Sequence, residues 1–274
     1  MSQTPKGFGP RLRWWRQRRG LSQIELAGTT DTTQRHLSFL ESGRAAPSRE
    51  MVMRLAAGLD VPLRQQNALL LAAGFAPAWR ESSLSEPALA AVNSALDYML
   101  AQQDPYPAFV VDRRWNLLRA NAGAARLTEV LTGAVTPGDP PAEPMNLAVA
   151  LVSPDGLRPF IANWEEVALY FLRGVQADAL ADGTPATAEL LERLLAFPGL
   201  RALSRALPPT DPQAPVLVIH FRGADGASLR LFTTIATLGT PHDVTLQEIR
   251  IECFFPIDEA SAQVFRSAPP PRTL

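Results

Sequence analysis

The stretch Ser22–Gly43, SQIELAGTTDTTQRHLSFLESG, decides the fold of the first part of the chain. Ser22 with Glu25 three residues later is the capping box of a helix start, and the closing Ser-Gly pair is a typical helix end. Apolar side chains fall at helical spacing on both sides of the polar turn Gly28–Asp31; they are Leu26, Ala27, Leu37 and Leu40. The pattern predicts two short helices that cross at the small Ala27, as in a helix-turn-helix.

The second of these helices has an outer face that suits the major groove of DNA. If Leu37 and Leu40, three residues apart, face the first helix, the opposite side holds amide, guanidinium, hydroxyl and phenyl groups. Glutamine can bond an adenine edge, arginine a guanine edge, and a threonine methyl or a phenyl ring can contact a thymine methyl. The predicted DNA-binding residues, including a glutamine and flanking arginines for phosphates, are Gln23, Thr32, Thr33, Gln34, Arg35, Ser38, Phe39, Arg44 and Arg49.

The uneven charge of the chain favours DNA binding over the alternative, a helical hairpin in an ordinary bundle with a solvated basic face. Residues 1–80 contain 12 Lys and Arg against 5 Asp and Glu, whereas residues 81–274 contain 14 against 22. The formal charges are therefore +7 and −8, which agree with −1 for the whole chain. A basic module attached to an acidic one is typical of a protein that meets a polyanion through one part.

The segments around the motif predict an all-helical N-terminal domain over residues 8–75. Five short amphipathic helices are expected, over about residues 11–19, 21–27, 32–41, 48–59 and 62–74. Because Ser, Glu and Pro dominate the segment after Trp79, residues 76–87 are predicted to be a linker.

Residues 88–267 predict an α+β domain with a five-stranded antiparallel sheet, so the chain is expected to be multidomain. Strands are expected at 109–111, 116–120, 216–222, 229–237 and 244–255, and helices at 88–103, 121–131, within 146–206 and at 258–266. Gly223–Gly226 predicts a hairpin turn, residues 133–144 a loop, and the Pro-rich tail after residue 266 disorder. The order of the elements resembles a PAS-like arrangement.

The sequence contains few of the cysteine and histidine residues that bind metals or act as nucleophiles. Cys253 is the single cysteine, which excludes an intrachain disulfide and a cysteine zinc site. His36, His220 and His242 are far apart in sequence, and the sequence shows no Ser/His/Asp arrangement, phosphate loop or metal cluster, so neither catalysis nor a cofactor is expected. No signal peptide and no membrane span are predicted, and a cytoplasmic location is expected.

Gly20–Ala27 and Leu37–Arg44 are similar to the phage-repressor-like (XRE) helix-turn-helix family. The resemblance covers about residues 10–73. It implies that an arginine of the first helix pairs with the glutamate closing the recognition helix, here Arg16 with Glu41. The turn position that this family usually gives to glycine is Asp31, and aspartate tolerates left-handed backbone better than most residues.

The chain as a whole resembles one subgroup, the MmyB-like transcription regulators. The segments that carry the resemblance are His36–Arg44, Val111–Asn116, Leu157–Pro159, Asn163–Ala168, Leu231–Thr234 and Gly239–Pro241. It implies an N-terminal DNA-binding domain and a C-terminal PAS-like domain that binds a small ligand.

Since the sequence shows no cofactor motif, such a ligand is expected to be mainly apolar. A fatty acyl chain whose carboxylate is held by Arg158 or Arg230 is the favoured example. Each aromatic candidate could equally be plain core, and most buried asparagines satisfy backbone groups. The candidate ligand residues are Trp115, Asn121, Arg158, Asn163, Trp164, Phe171, Arg230, Phe232 and Thr234.

These inferences predict a one-component transcription regulator that binds a double-stranded DNA operator as a homodimer on a two-fold site. An apolar effector would shift its conformational equilibrium. Two alternatives stay open. The C-terminal domain could serve only dimerisation or partner binding, or the chain could be an enzyme with an accessory DNA-binding domain.

Overall fold

The computed structural model describes residues 5–133, 145–205 and 216–266, which fall into two compact units. Unit 1 contains residues 5–82 together with two later segments, 178–188 and 240–247. Unit 2 contains the described residues of 83–177, 189–239 and 248–266. The predicted loop, apart from Gly133, and the predicted disordered tail lie outside the described residues.

Five helices form the N-terminal part of unit 1, as predicted. They are α1 (Phe8–Arg18), α2 (Gln23–Thr29), α3 (Gln34–Glu41), α4 (Arg49–Gly58) and α5 (Leu63–Ala72). The capping box is confirmed, because the Ser22 hydroxyl accepts the Glu25 N–H at 3.2 Å and the Glu25 carboxylate accepts the Ser22 N–H at 2.7 Å. Helix α1 begins earlier than predicted, and α3 begins later because Thr33 is its N-cap rather than its second residue.

The predicted crossing of α2 and α3 is confirmed. Leu26, Leu37 and Leu40 are fully buried and Ala27 is 4% exposed. These leucines join a core to which all five helices contribute, including Leu12, Trp15, Val52, Leu55, Leu69 and Leu70. The backbone of Asp31 is left-handed, with φ 48°, as the resemblance implied.

Unit 2 contains the predicted five-stranded antiparallel sheet. Its strands are β1 (Ala108–Val111), β2 (Leu117–Ala120), β3 (Ile219–Arg222), β4 (Ser228–Thr237) and β5 (Arg250–Pro256). The strand order is β2-β1-β5-β4-β3, and every neighbouring pair is antiparallel. The last strand in sequence is therefore the central strand of the sheet. The predicted hairpin at Gly223–Gly226 joins β3 to β4.

The remaining helices, apart from α12, follow the predicted order. They are α6 (Ala90–Gln103), α7 (Ala122–Thr132), α8 (Leu147–Val152), α9 (Trp164–Asp182), α10 (Pro185–Leu195), α11 (Leu200–Leu203), α12 (Val244–Glu248) and α13 (Glu259–Arg266). In unit 2, α6 and α7 pack against β1, and α13 packs against β4 and β5.

Two strand predictions were wrong at their beginnings. Residues 244–248 form α12 rather than strand, because the Asp243 carboxylate accepts the N–H of Thr245 at 2.9 Å and so caps a helix. The strand predicted from Val216 begins at Ile219. The carbonyl of Val218 accepts instead from the side chain of Asn163 at 2.8 Å, outside the sheet.

Candidate DNA-binding surface and ligand site

The N-terminal turn of α3 presents its polar side chains outward. Thr33, Gln34 and Arg35 are exposed, while Leu37 and Leu40 are fully buried on the opposite side. The Thr33 hydroxyl accepts the His36 N–H at 3.1 Å, which fixes the start of the helix. The methyl group of Thr33 is the part of the side chain left to make an outward contact. The N-terminal part of a recognition helix is the part that reaches base edges.

Phe39 lies between two of the predicted DNA-binding arginines. The guanidinium carbon of Arg35 is 5.5 Å from the centroid of the Phe39 ring, and that of Arg44 is 6.0 Å from it. Both distances are within the range of cation–π attraction. Phe39 was predicted from the sequence as a base contact, but the spacing of four residues between Arg35 and Phe39 is a sequence signal for this arrangement.

The ion pair implied by the family resemblance is present. Arg16 Nε donates to Glu41 Oε1 at 2.6 Å and Nη2 donates to Oε2 at 2.9 Å, and each residue is 9% exposed. The hydrogen bond to Glu41 raises the pKa of Arg16, which stays a cation. Since Glu41 is the last residue of α3, this pair fixes the recognition helix against α1.

Gln23 joins the same network. Its Nε2 donates to Glu41 Oε2 at 2.9 Å, so the second N–H of the same amide remains for the phosphate contact that the sequence predicts. Arg49 begins α4 and is exposed, and its Nη1 donates to the carbonyl of Ala76 at 2.6 Å. Of the other predicted contacts, Arg44 is exposed, and Thr32 and Ser38 are partly buried.

Two of the predicted ligand residues come together in unit 2. The rings of Trp115 and Phe171 are 4.7 Å apart in an edge-to-face arrangement. Trp164 is buried elsewhere, where its indole donates to the Leu151 carbonyl at 3.0 Å. The guanidinium carbon of Arg158 lies 3.7 Å from the centroid of the Trp164 ring.

The two asparagine candidates satisfy backbone groups. Asn121 uses all four of its hydrogen-bonding positions: it accepts from the N–H of Ala108 and Ala124 and donates to the carbonyls of Leu100 and Tyr106. Asn163 donates to Glu166 and the Val218 carbonyl and accepts from the His220 N–H. A ligand would have to displace one of these bonds to reach Asn121.

The three candidates on β4 share one face of the sheet, because strand side chains alternate. Arg230 pairs with Asp258, Nη2 to Oδ2 at 2.7 Å, Phe232 stacks on Phe255 with centroids 5.4 Å apart, and Thr234 is exposed. Trp115 instead lies near Arg250, which pairs with Thr237 on the opposite face of the sheet. The nine predicted ligand residues are therefore not brought to one place.

Glu252 is a polar residue of this opposite face that the sequence did not indicate as a site residue. It lies on the central strand between Phe109 of β1 and Ile235 of β4. Desolvation raises the pKa of its carboxyl to about 7, although a hydrogen bond with Thr233 acts to lower it. A glutamate in a strand of alternating polarity indicates a solvated position. The sequence around Glu252 therefore gave no indication that its carboxyl is desolvated.

The described ranges contain neither a helix that could span a membrane nor a cluster of metal-binding side chains. No helix among residues 5–133, 145–205 and 216–266 has the length and apolar character of a membrane span. The same residues contain no group of three or more His, Cys, Asp or Glu side chains placed to hold a metal ion.

Comparisons with known proteins match both parts of the chain. The family model of the MmyB-like transcription regulator ligand binding domain matches residues 92–268, and a helix-turn-helix model matches residues 12–66. No curated protein matches the chain. A solved structure of an RNA-binding light-oxygen-voltage receptor is 14% identical, with a TM-score of 0.29; the match covers 93% of this chain and 62%, less than two thirds, of that one. A similarity this low carries no argument about fold or function.

Proposed function

The chain belongs to the MmyB-like transcription regulators, and from this premise we propose that α3 reads a DNA operator while unit 2 binds an apolar effector, for example a fatty acid. DNA binding and the presence of a ligand-binding domain follow from the family. The residues that make the contacts, the identity of the effector and the homodimeric state are the proposal.

One observation carries the proposed mode of DNA reading. The outward side chains Thr33, Gln34 and Arg35 stand on a helix whose inner face is fully buried and whose end is fixed by the Arg16–Glu41 pair. A helix held in this way has little backbone freedom left to lose on binding, which favours specific base contacts. Arg44 and Arg49 flank it as phosphate contacts.

The contact between Trp115 and Phe171 supports an apolar effector in unit 2. Arg230, one of the two predicted carboxylate anchors, is already paired with Asp258. Arg158, the other predicted carboxylate anchor, stacks on Trp164 and has no ion pair with a carboxylate of the described residues. We propose that the domain is PAS-like, that effector binding shifts a conformational equilibrium of the regulator, and that the protein acts on DNA in the cytoplasm.

The base-reading proposal is tested with three alanine variants. Gln34→Ala and Arg35→Ala should each weaken operator binding by about 1–3 kcal/mol and relax specificity at particular base pairs. Arg44→Ala should weaken binding to all sequences and flatten the dependence of affinity on salt. Selection of operators from random DNA, followed by titrations at several salt concentrations, measures both effects. Unchanged binding by both α3 variants would show that another face of the domain reads the bases.

The dimer and effector proposals have separate measurements. Footprinting should protect two half-sites about one helical turn, roughly 34 Å, apart, and light scattering should give the mass of two chains. Native mass spectrometry of the purified protein should show a co-purified apolar molecule. A solidly packed unit that retains no small molecule would favour the alternative in which unit 2 serves dimerisation or partner binding.

A further inference from the structure

Helix α12 contains one of the points at which the chain passes from unit 1 to unit 2. Residues 240–247 belong to unit 1, and Glu248, the last residue of the helix, belongs to unit 2. Because the helical turn between them is a single hydrogen-bonded piece of backbone, a displacement of Glu248 is passed to the beginning of α12.

Within unit 1, side chains at α12 bond the backbone of the N-terminal segment. The Asp243 carboxylate, which caps the helix, accepts the Ser82 N–H at 3.2 Å, and the Thr245 hydroxyl donates to the Ser82 carbonyl at 2.7 Å. Gln247 Oε1 accepts the N–H of Leu63, the first residue of α5, at 2.8 Å. Since α5 packs against α1 and α4, a displacement of α12 reaches the helices of the DNA-binding domain.

Within unit 2, an ion pair holds the last residue of α12. Arg113 Nη1 donates to Glu248 Oε1 at 2.7 Å, and the two side chains are only 12% and 16% exposed. Separating two charges at this burial is costly, so Arg113 and Glu248 move together. Arg113 lies in the turn between β1 and β2, and this turn is therefore tied to the end of α12.

The turn between β1 and β2 is itself stiff. The Asp112 carboxylate accepts the N–H groups of Arg114 at 2.8 Å and Asn116 at 2.9 Å, and the Asp112 carbonyl accepts the Trp115 N–H at 3.0 Å. Arg113 and Trp115 lie on either side of Arg114. Because three backbone N–H groups of the turn bond one aspartate, Arg113 follows any movement of Trp115.

Trp115 is the residue of this turn that points to a ligand. Its φ is 62°, in the left-handed region that bulky side chains rarely adopt. The residue is 6% exposed, and its buried indole nitrogen has no acceptor within the described part of the chain. Strain and an unmet donor at one residue are typical of a position that is completed by a ligand. The guanidinium carbon of Arg250 lies 5.9 Å from the ring centroid, so a cation lies beside it, in agreement with the acidic head of a fatty acid.

We propose that the Arg113–Glu248 pair is the link through which effector binding in unit 2 changes operator binding by unit 1. The inference rests on the proposed function and names the regulation of that same site. A shift of the β1–β2 turn on effector binding is carried by Glu248 into α12, and from Gln247 to the start of α5. The two residues are positioning residues, since neither is placed against the effector or the DNA.

Helix α9 is the competing route. Residues 164–177 of this helix belong to unit 2 and residues 178–182 to unit 1, and the ring of Phe171 lies 4.7 Å from that of Trp115. An edge-to-face ring contact is weaker than a buried ion pair and has no directional bond to break. The two routes also predict different results, because only the route through α12 depends on the charge of Glu248.

The first test uses the full chain labelled with ¹⁵N at its five tryptophan indoles, and an operator duplex selected by the wild-type protein from random DNA. The Trp115 signal is assigned with Trp115→Phe. Because coupling between two binding sites is reciprocal, operator binding should shift the Trp115 signal of the wild type. In Glu248→Gln the signal should stay in place. The Trp164 indole, which donates to the Leu151 carbonyl at 3.0 Å at the start of α9, should not respond in either protein.

The second test measures the coupling in the opposite direction, with dodecanoate as the probe. Saturating dodecanoate should change the operator Kd of the wild type by about fivefold or more, and that of Glu248→Gln by less than about twofold. Asp97→Asn is the matched control, because it removes a carboxylate from another arginine pair of unit 2, with Arg119 at 2.6 Å, and should keep the full change. Exchange of the charges, Arg113→Glu with Glu248→Arg, should restore the coupling.

Several results would overturn the inference. An unmoved Trp115 signal in the operator-bound wild type would show that the DNA-binding domain does not act on the turn, and this result requires no variant to fold. Equal shifts in wild type and Glu248→Gln, or a shift of Trp164, would assign the coupling to α9. Binding of operator and dodecanoate without mutual influence would remove the link and leave the proposed function standing. A chain that binds no DNA, or that retains no apolar molecule in native mass spectrometry, would remove both.

Discussion

Glu252 lies on the central strand with apolar cross-strand neighbours, and burial raises the pKa of its carboxyl from 4.5 to about 7. Between these two values the folded protein holds a proton that the unfolded chain has released, so stability falls as pH rises through this window. We predict that Glu252→Gln removes this dependence. At pH 8 the variant should be more stable than wild type by at most about 3 kcal/mol, as measured by urea unfolding between pH 5 and pH 8.

A second glutamate provides the control for this prediction. Glu248 pairs with Arg113 at 2.7 Å, both side chains being largely buried, so Glu248→Gln should lower stability near neutral pH instead of raising it. If the free energy of unfolding changed with pH in the same way for wild type and Glu252→Gln, the pKa of Glu252 would not be raised in the folded protein.

Phe39 is predicted to position Arg35 and Arg44 rather than to contact a base. Phe39→Leu keeps an apolar side chain but removes both cation–π contacts, each worth about 0.5–1 kcal/mol at an exposed site. Operator affinity should fall by about 1–2 kcal/mol, while the salt slope stays unchanged because no charge is lost. Phe39→Trp should restore binding. A loss confined to one A·T pair would instead support the thymine contact predicted from the sequence.

At the scale of elements, the approach of α1 to the end of α3 depends on one glycine. A Cβ at Gly9 would lie 2.6 Å from the carbonyl oxygens of both Leu40 and Glu41, and these backbone atoms cannot move unless α3 moves. We predict that Gly9→Ala destabilises the protein by about 1–3 kcal/mol and also weakens operator binding, since α3 is displaced. Thermal unfolding and operator titration measure the two effects.

Gly28 in α2 is the matched control. A Cβ there would meet nothing within 4 Å, so Gly28→Ala should stabilise the helix by about 0.5–1 kcal/mol and leave DNA binding unchanged. If the Gly9 variant were as stable as wild type, the close approach of α1 and α3 would not be a constraint on the fold.

At the scale of the whole molecule, unit 1 is not continuous in sequence. Residues 178–188 and 240–247 belong to the same compact unit as the helix-turn-helix. Gly183 shows how closely the first of these segments is held: a Cβ there would lie 2.5 Å from Cη2 of Trp14 in α1. The Leu63 N–H, at the start of α5, donates to Gln247 of the second segment at 2.8 Å.

We predict that Gly183→Ala perturbs α1 and through it the Arg16–Glu41 pair, so that both stability and operator affinity fall. Gly199→Ala is the control, because Gly199 also has a positive φ but a Cβ there meets nothing within 4 Å. Backbone strain of about 1–2 kcal/mol is common to both variants, and the clash with Trp14 adds about 1–3 kcal/mol to the first. Equal unfolding temperatures and equal operator affinities for the two variants would contradict the prediction.

The sequence by itself determined the features that depend on local spacing. The buried leucines of α2 and α3 and the five-stranded sheet were predicted because helices and strands repeat with fixed periods. The capping box at Ser22 was predicted from a serine followed three residues later by a glutamate, and the turn before α3 from its glycine and polar residues. The predicted ends of helices and strands differ from the structure where a side chain bonds the backbone and changes its conformation. The carboxylate of Asp243 starts a helix in a segment whose apolar residues indicated a strand.

Only the tertiary structure decided which distant side chains meet. The fourfold bonding of Asn121 and the pairing of Arg230 with Asp258 depend on contacts that no local period encodes. The same holds for the unmet donor of Trp115 and the desolvation of Glu252, because burial is a property of the whole packed unit. The sequence therefore predicts a DNA-binding surface whose residues are mostly neighbours along one helix, whereas the environments of Trp115 and Glu252 depend on the fold.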